Sequence, residues 1–266
     1  MAFVRGTFFA VMAMVASNVV LAEATPAAAW HDTYKCALRQ HEMLTDYHLH
    51  ASDPKDRGLL SSLLKSRQAA SGCLSSVTDA LGKLGLGRLN GELNTEQQKL
   101  SRALTSSLDT IAAKGVPENA VVAEMVQHQI ALVAGLTGAA AELQGTGGAK
   151  ISPESRQARE LALVMEYANQ RYIERTTQIY PRDDSAEPTI DELASRFGKG
   201  LVALRASKKI NDAQRKKLDS VQTRFRFISS SLANYNDKTV PFTVNRHAHS
   251  MVDTLGELAQ ELESVK

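Results

Sequence analysis

Apolar positions along the chain recur at steps of three and four residues. Leu193, Phe197, Leu201 and Leu204 form one such seam, and Leu218, Val221, Phe225, Ile228 and Leu232 form another. Val244, Ala248, Met251, Leu255, Leu258 and Leu262 carry the pattern towards the end of the chain. In the first half, Leu74, Val77, Leu81 and Leu84 show it, as do Leu100, Leu104, Leu108 and Ile111. This is the period of a helix that buries one stripe. The spacing predicts eight helices, over residues 30–52, 57–84, 94–114, 118–143, 153–180, 189–206, 211–235 and 241–264. The fold class is all-α, read as two tandem antiparallel four-helix bundles, because helices joined by short connections pack antiparallel.

Polar punctuation supports these ends. Thr95 with Gln98, and Thr189 with Glu192, have the spacing of capping boxes. Ser152-Pro153-Glu154 places a cap before a proline at the first helical position. Gly115 suits a C-terminal cap, and the glycine-rich LGLGRLNG separates Leu84 from Leu93. The segment QGTGGAK, residues 144–150, has the composition of a flexible joint between a first unit, 23–145, and a second, 151–266. The halves also match in detail. Each opens its first helix with Arg-Gln-x-x-x-Leu, from Arg39 and from Arg156, and each enters its last helix through Val-Pro, at Val116-Pro117 and Val240-Pro241.

An early base, Arg5, an apolar run from Phe8 to Leu21 and small residues at Ala22 and Ala24 give residues 1–22 the pattern of a secretory signal peptide cleaved near Ala22 or Ala24. Export to the periplasm is the expectation. The most apolar later stretch, Ile130 to Leu143, is interrupted by Gly135 and Gly138, and at 14 residues reads as too short to span a bilayer. Without Arg5 the chain carries 30 Lys and Arg against 29 Asp and Glu, a balance that speaks against nucleic acid as a partner. In an oxidising compartment a cysteine pair is normally bridged. Cys36 and Cys73 lie equally far from the turn at Ser52 to Pro54, so two helices folding back there predict a Cys36–Cys73 disulfide.

Candidate chemistry is sparse. Gln40 and Gln157 lie one turn before a seam leucine and should point towards the core, with Arg39 and Arg156 at its edge. A buried amide needs partners, and a neighbouring guanidinium offers a fork suited to a carboxylate or small oxyanion. The alternative is a polar network that sets helix register. His41 and His48 share a helical face, with His50 nearby, and His247 and His249 sit on the last helix. Adjacent-turn metal-chelating spacing is missing, so these read as surface histidines, although haem or metal carriage in a bundle stays open. No metal and no cofactor is assigned. Eight bases fall between Arg205 and Arg226 against two acids, and Lys208, Lys209, Lys216 and Lys217 are the candidate partner-binding residues there. A solvated face is the other reading of that run. Nucleophile-elbow, phosphate-loop and zinc-protease motifs are absent, and no enzymatic activity is expected.

The paired Arg-Gln openings, the Phe197/Leu201/Leu204 helix, LDSVQTRFRFISSSL and the closing VNRHAHSMVDTLGELAQELE resemble the PilJ-type, nitrate-sensor-like helical domain, also described as the type IV pili methyl-accepting chemotaxis transducer N-terminal domain. The first helix of that family typically reads Gly-Arg-Gln-Arg-Met-Leu-Ser-Gln-Arg. Arg39-Gln40 and Arg156-Gln157 match its Arg-Gln, Arg159 matches the next arginine after a one-residue insertion, and Met43-Leu44-Thr45 resembles Met-Leu-Ser. The resemblance implies a non-enzymatic ligand sensor or adaptor in which Arg39, Gln40, Arg156, Gln157 and Arg159 contact a small anion or polar ligand. It also implies a membrane-bound receptor or a pilus- or chemotaxis-related protein as partner. A structural or protein-interaction module working through the basic hairpin 205–226 is the rival reading, and oligomeric state is left open.

Overall fold

Eight helices carry the chain in the computed structural model, which describes residues 25–145, 148–177, 187–236 and 239–264. They are α1 (Pro26–Ser52), α2 (Arg57–Lys83), α3 (Gly87–Lys114), α4 (Asn119–Gly145), α5 (Pro153–Thr177), α6 (Ile190–Ala206), α7 (Asp212–Ala233) and α8 (Pro241–Ser264). The described residues contain no strand, so the all-α expectation holds. The signal-peptide reading of residues 1–22 lies outside the described residues, as do positions 178–180 of the helix expected over 153–180.

The seams are buried as their spacing requires. Leu193, Phe197, Leu201 and Leu204 are at most 2 % exposed, and Val244, Ala248, Met251, Leu255 and Leu258 are fully buried. Within the first half α1 packs on α2 and α4, and α3 on α4 and α2. Within the second, α5 packs on α8 and α6, and α7 on α8 and α6. The halves meet through α1 and α5. One core cluster runs from Ala29 to Ala149. The other is built from α5 to α8 but also contains Leu38 and Leu49 of α1, so α1 serves both. The described part of the 144–150 segment is packed rather than free: Ala149 donates its N–H to the Leu143 carbonyl, and Gly148 lies so close to Pro26 that a Cβ there would come within 2.8 Å of the proline ring.

Several ends follow local chemistry. The Thr189–Glu192 capping box is present, the Ser152 hydroxyl accepts from Ser155 N–H, and Gly115 takes the left-handed conformation at φ 79°. A second capping box, missed in the sequence, opens α7: Asn211 Oδ1 accepts from Gln214 N–H, and Gln214 Oε1 accepts from Asn211 N–H. Asn211→Ala is expected to cost about 1 kcal/mol, read as a fall of roughly 2–4 °C in thermal unfolding followed by circular dichroism.

Other expectations need correction. Thr95 does not start α3, which begins at Gly87; its hydroxyl donates back to the Gly91 carbonyl one turn earlier. Leu89 and Leu93 are at most 8 % exposed, and burying them outweighs the roughly 1 kcal/mol propensity cost of Gly91. Helix α1 starts at Pro26 rather than residue 30, because Thr25 caps it and the proline occupies its first turn. Pro117 lies two residues ahead of α4, whereas Pro241 opens α8, so the Val-Pro match is not one of position. Helix α4 continues through Gly135 and Gly138 for 27 residues, long and apolar enough to cross a membrane by length and composition, with a third of that stretch buried. Val122, Met125, Leu132 and Leu136 on α4 are fully buried in the first core.

Candidate functional site

The two Arg-Gln pairs occupy equivalent places but do different things. Gln40 is fully buried and donates through Nε2 to the Ala70 carbonyl on α2, at 3.3 Å. Gln157, half-buried, donates to the Gly200 carbonyl on α6, at 3.0 Å. Each glutamine therefore ties the first helix of its half to the second. Gly200 makes the α5–α6 approach possible, since a Cβ there would lie 2.5 Å from Leu161 Cδ2. Arg156 is exposed. Neither glutamine nor Arg156 lines the groove that the remaining two arginines share.

That groove, of about 320 Å³, runs between α1, α5 and α8. Lys35, Arg39 and Glu42 enter it from successive turns of α1, Arg159 and Glu166 from α5, and His249, Asp253 and Gly256 from α8. Helical spacing sets each group on one face. Arg39 pairs with Glu42 on its own helix and is 38 % exposed. Arg159 is 4 % exposed, and its Nε donates to His31 Nδ1 at 3.3 Å. Accepting that bond requires a neutral imidazole. Burial and then the Arg159 charge push His31 down to about 4, which keeps it neutral. Among the described residues no carboxylate lies within 4.0 Å of Arg159. Gly256 leaves room for the guanidinium, since a Cβ there would lie 3.3 Å from Nη1.

Below Arg159 lies an ion pair. Glu166, 1 % exposed, has Oε1 at 3.3 Å from His249 Nε2 and at 3.4 Å from the donating Asn169 Nδ2. Burial is the largest influence and opposes the Glu166 charge, but His249, His41 and Asn169 together outweigh it and hold the carboxyl below its ordinary range. Burial opposes the His249 charge as well; Glu166 overcomes it and raises His249 to about 9. Asp46 of α1, near both, is pushed up to about 6, mainly by burial.

The histidines of α1 are not on the surface. His41 and His50 are 4 % exposed and His48 is fully buried, because α1 is covered by α2, α4 and α5. His41 Nδ1 lies 2.5 Å from Gln170 Oε1 of α5 and 2.9 Å from Gln129 Nε2 of α4, so it joins three helices. His247 stacks against Phe227, with ring centroids 4.9 Å apart. Among the described residues no group of three His, Cys, Asp or Glu side chains could hold a metal ion. Cys36 and Cys73 are free thiols on neighbouring helices, Cys36 Sγ 4.0 Å from the Ala70 carbonyl of α2 and Cys73 Sγ 4.0 Å from the Asp32 carbonyl of α1.

The basic hairpin is largely engaged. Lys217 pairs with Glu261 at 2.6 Å and Glu257 at 3.2 Å, Lys209 with Glu154 at 3.5 Å, and Arg205 with Asp219 at 2.5 Å. Arg215 donates to the Arg205 and Ile210 carbonyls. Lys208 and Lys216 are exposed, with no ion pair among the described residues. A larger cleft of about 740 Å³ opens beside the α1–α2 turn, but Asp53, Lys55 and Asp109 in its lining are all exposed. Its buried ionisable group is His50, a neutral-leaning imidazole lowered mainly by burial, rather than a guanidinium.

These features define an all-helical protein with a polar groove where its two core clusters meet. Set against protein-family models, curated proteins and solved structures, the chain matches none.

Proposed function

We propose that this chain is an exported, non-enzymatic ligand-binding protein made of two PilJ-like four-helix units, which takes a small carboxylate or oxyanion in the α1/α5/α8 groove and relays its presence to a membrane partner. The observation that carries this reading is Arg159, a buried guanidinium beside a 320 Å³ groove with no carboxylate within 4.0 Å among the described residues. Burying an unpaired charge is costly, and an incoming anion recovers that cost through a forked contact. Lys35 and Arg39 supply further positive charge from α1. Gln40, Gln157 and Arg156 serve packing and surface rather than the ligand. Because the groove is walled by helices of both halves, occupancy acts on their junction, which is a physical basis for a relay.

The test is thermal unfolding of the protein against nitrate, phosphate, small carboxylates and amino acids, with Arg159→Met, Arg39→Met and Arg156→Ala in parallel. A ligand at about 100 times its dissociation constant should stabilise by roughly 2.7 kcal/mol, or about 5–11 °C. Arg159→Met should abolish that shift while leaving unliganded stability equal or higher, Arg39→Met should weaken it, and Arg156→Ala should retain it. A shift that survives in Arg159→Met sinks this assignment. No shift from any compound would favour an interaction module, with the exposed Lys208 and Lys216 as the place to look for its partner.

A further inference from the structure

The second pocket on α1 lies between α1 and α2. About 360 Å³ in volume, it shares Lys35 and Arg39 with the groove, and Asp32, Gly72, Ser76 and the Cys73 thiol complete most of its lining. Small residues along α2 keep it open, and a Cβ built on Gly72 would meet nothing within 4 Å. Behind Cys73 sits Cys36, fully buried, its Sγ 4.0 Å from the Ala70 carbonyl and 4.0 Å from Gln40 Nε2. The two thiols are therefore unequal. One lines a pocket bearing two cations and one carboxylate, and the other is fully buried.

Their protons are unequal as well. The two sulfurs sit reciprocally across the helix pair, Cys36 Sγ against the Ala70 carbonyl of α2 and Cys73 Sγ 4.0 Å from the Asp32 carbonyl of α1, and the Cys36 thiol is pushed far up, first by its neighbour Cys73 and then by burial. Cys73 is lowered, first by its neighbour Cys36, with burial and the Asp32 carboxylate opposing and Lys35 and Arg39 assisting. The thiolate is the nucleophile in thiol chemistry, and cations beside it favour that form.

We infer that Cys36 and Cys73 form an exchangeable dithiol site, in which Cys73 is the entry nucleophile, Cys36 resolves, and the reactant is a small anionic disulfide drawn in by Lys35 and Arg39. This goes beyond the ligand reading and stands independently of it. The Cys73 thiolate attacks one sulfur of the small disulfide, forming a mixed disulfide and expelling one small thiolate. Cys36 then gives its proton to the small thiolate expelled in the first step and attacks Cys73 Sγ as a thiolate; the mixed bond breaks, and the second small thiolate leaves and takes a proton from solvent. The protein loses two thiol protons and two electrons, and the small disulfide becomes two small thiols.

The probe is glutathione disulfide, with cationic cystamine for comparison, added to the reduced full chain under native conditions and followed by intact mass and peptide mapping. Wild type should pass to the internal Cys36–Cys73 disulfide, Cys36→Ser should stop as a glutathione adduct on Cys73, and Cys73→Ser should stay unmodified while folded. Glutathione disulfide should react faster than cystamine, by about tenfold or more at low salt, and Lys35→Glu should narrow or reverse that preference. If Cys36→Ser proves unfolded by circular dichroism, Cys36→Ala replaces it, since a small apolar side chain suits that buried site. Equal labelling of the two single variants, or an internal disulfide in wild type that excess thiol opens only on unfolding, would overturn the proposal and leave a purely structural bridge.

Discussion

Glu166→Ala is expected to destabilise the protein on the order of 3 kcal/mol at mildly acidic pH, the cost of leaving one half of a buried pair behind. His249 would lose the carboxylate 3.3 Å away, and Asn169 would lose an acceptor. The effect should depend on pH in a specific sense. His249 is raised to about 9 in the folded chain, so its contribution is complete below its unfolded value of about 6.5 and is lost as pH rises through 9. Glu166 is lowered, so its contribution is present above its unfolded value near 4.5 and is lost as pH falls below it. The pair therefore stabilises most between about pH 4.5 and 6.5 and fades towards pH 9. Asp46, raised to about 6, adds stability at low pH that disappears as pH climbs through 6, and because burial is its largest cause and Glu166 a smaller one, most of this persists in the variant. Urea unfolding of wild type and Glu166→Ala from pH 5 to pH 9.5 measures the difference. It should be largest at pH 5–6.5 and shrink steadily above; a constant gap would mean that the cavity, rather than the ion pair, sets the cost.

A comparable loss should follow Phe197→Ala, about 3–5 kcal/mol, or roughly 6–20 °C in Tm. Phe197 is fully buried on α6 and packs on the Phe225 ring, centroids 4.9 Å apart. Its seam neighbours Leu193, Leu201 and Leu204 are at most 2 % exposed, so the space it leaves lies inside the core. Phe227→Ala is the control, since Phe227 is 64 % exposed and should change stability by less than about 0.5 kcal/mol. The same variant asks how the halves are joined. Trp30 is the one tryptophan and lies in the first core, whereas Phe197 lies in the second. Leu38 and Leu49 of α1 belong to the second core. Loss of Phe197 should therefore pull the tryptophan-fluorescence transition down together with the circular-dichroism transition. A fluorescence midpoint that stays in place while the dichroism curve splits would show two independently folding halves.

Residues that act within one helix were legible from the chain. The seam from Leu193 to Leu204 is buried because a period near 3.6 sets those side chains on one stripe whatever they meet. Thr189, Ser152 and Gly115 act on backbone groups within one turn, and local spacing was enough to place them. The two glutamines were legible only as core-facing positions, since their partners, the Ala70 and Gly200 carbonyls, lie on the following helix.

Where local propensity competed with burial, the chain misled. The glycines of LGLGRLNG mark a break, yet Leu89 and Leu93 draw α3 back to Gly87 because the core offers them a place. The histidines of α1 looked polar and exposed, yet packing on three sides buries them.

The groove was the least legible feature, although Arg39 and Arg159 could be named. Nothing near Arg159 marks it as buried and Arg156 as exposed, since both open α5 and differ by less than one turn. The difference arises because α5 turns one face to α1 and α8, and His31, Glu166 and His249 come together from three helices far apart in the chain. Helix formation is a matter of neighbours three and four residues apart, and the sequence carries it. Which charged faces then meet is settled by pairing α1 with α5 across the two halves, where burying Leu38 and Leu49 among the apolar side chains of the second core brings the polar residues of the adjoining faces into one site.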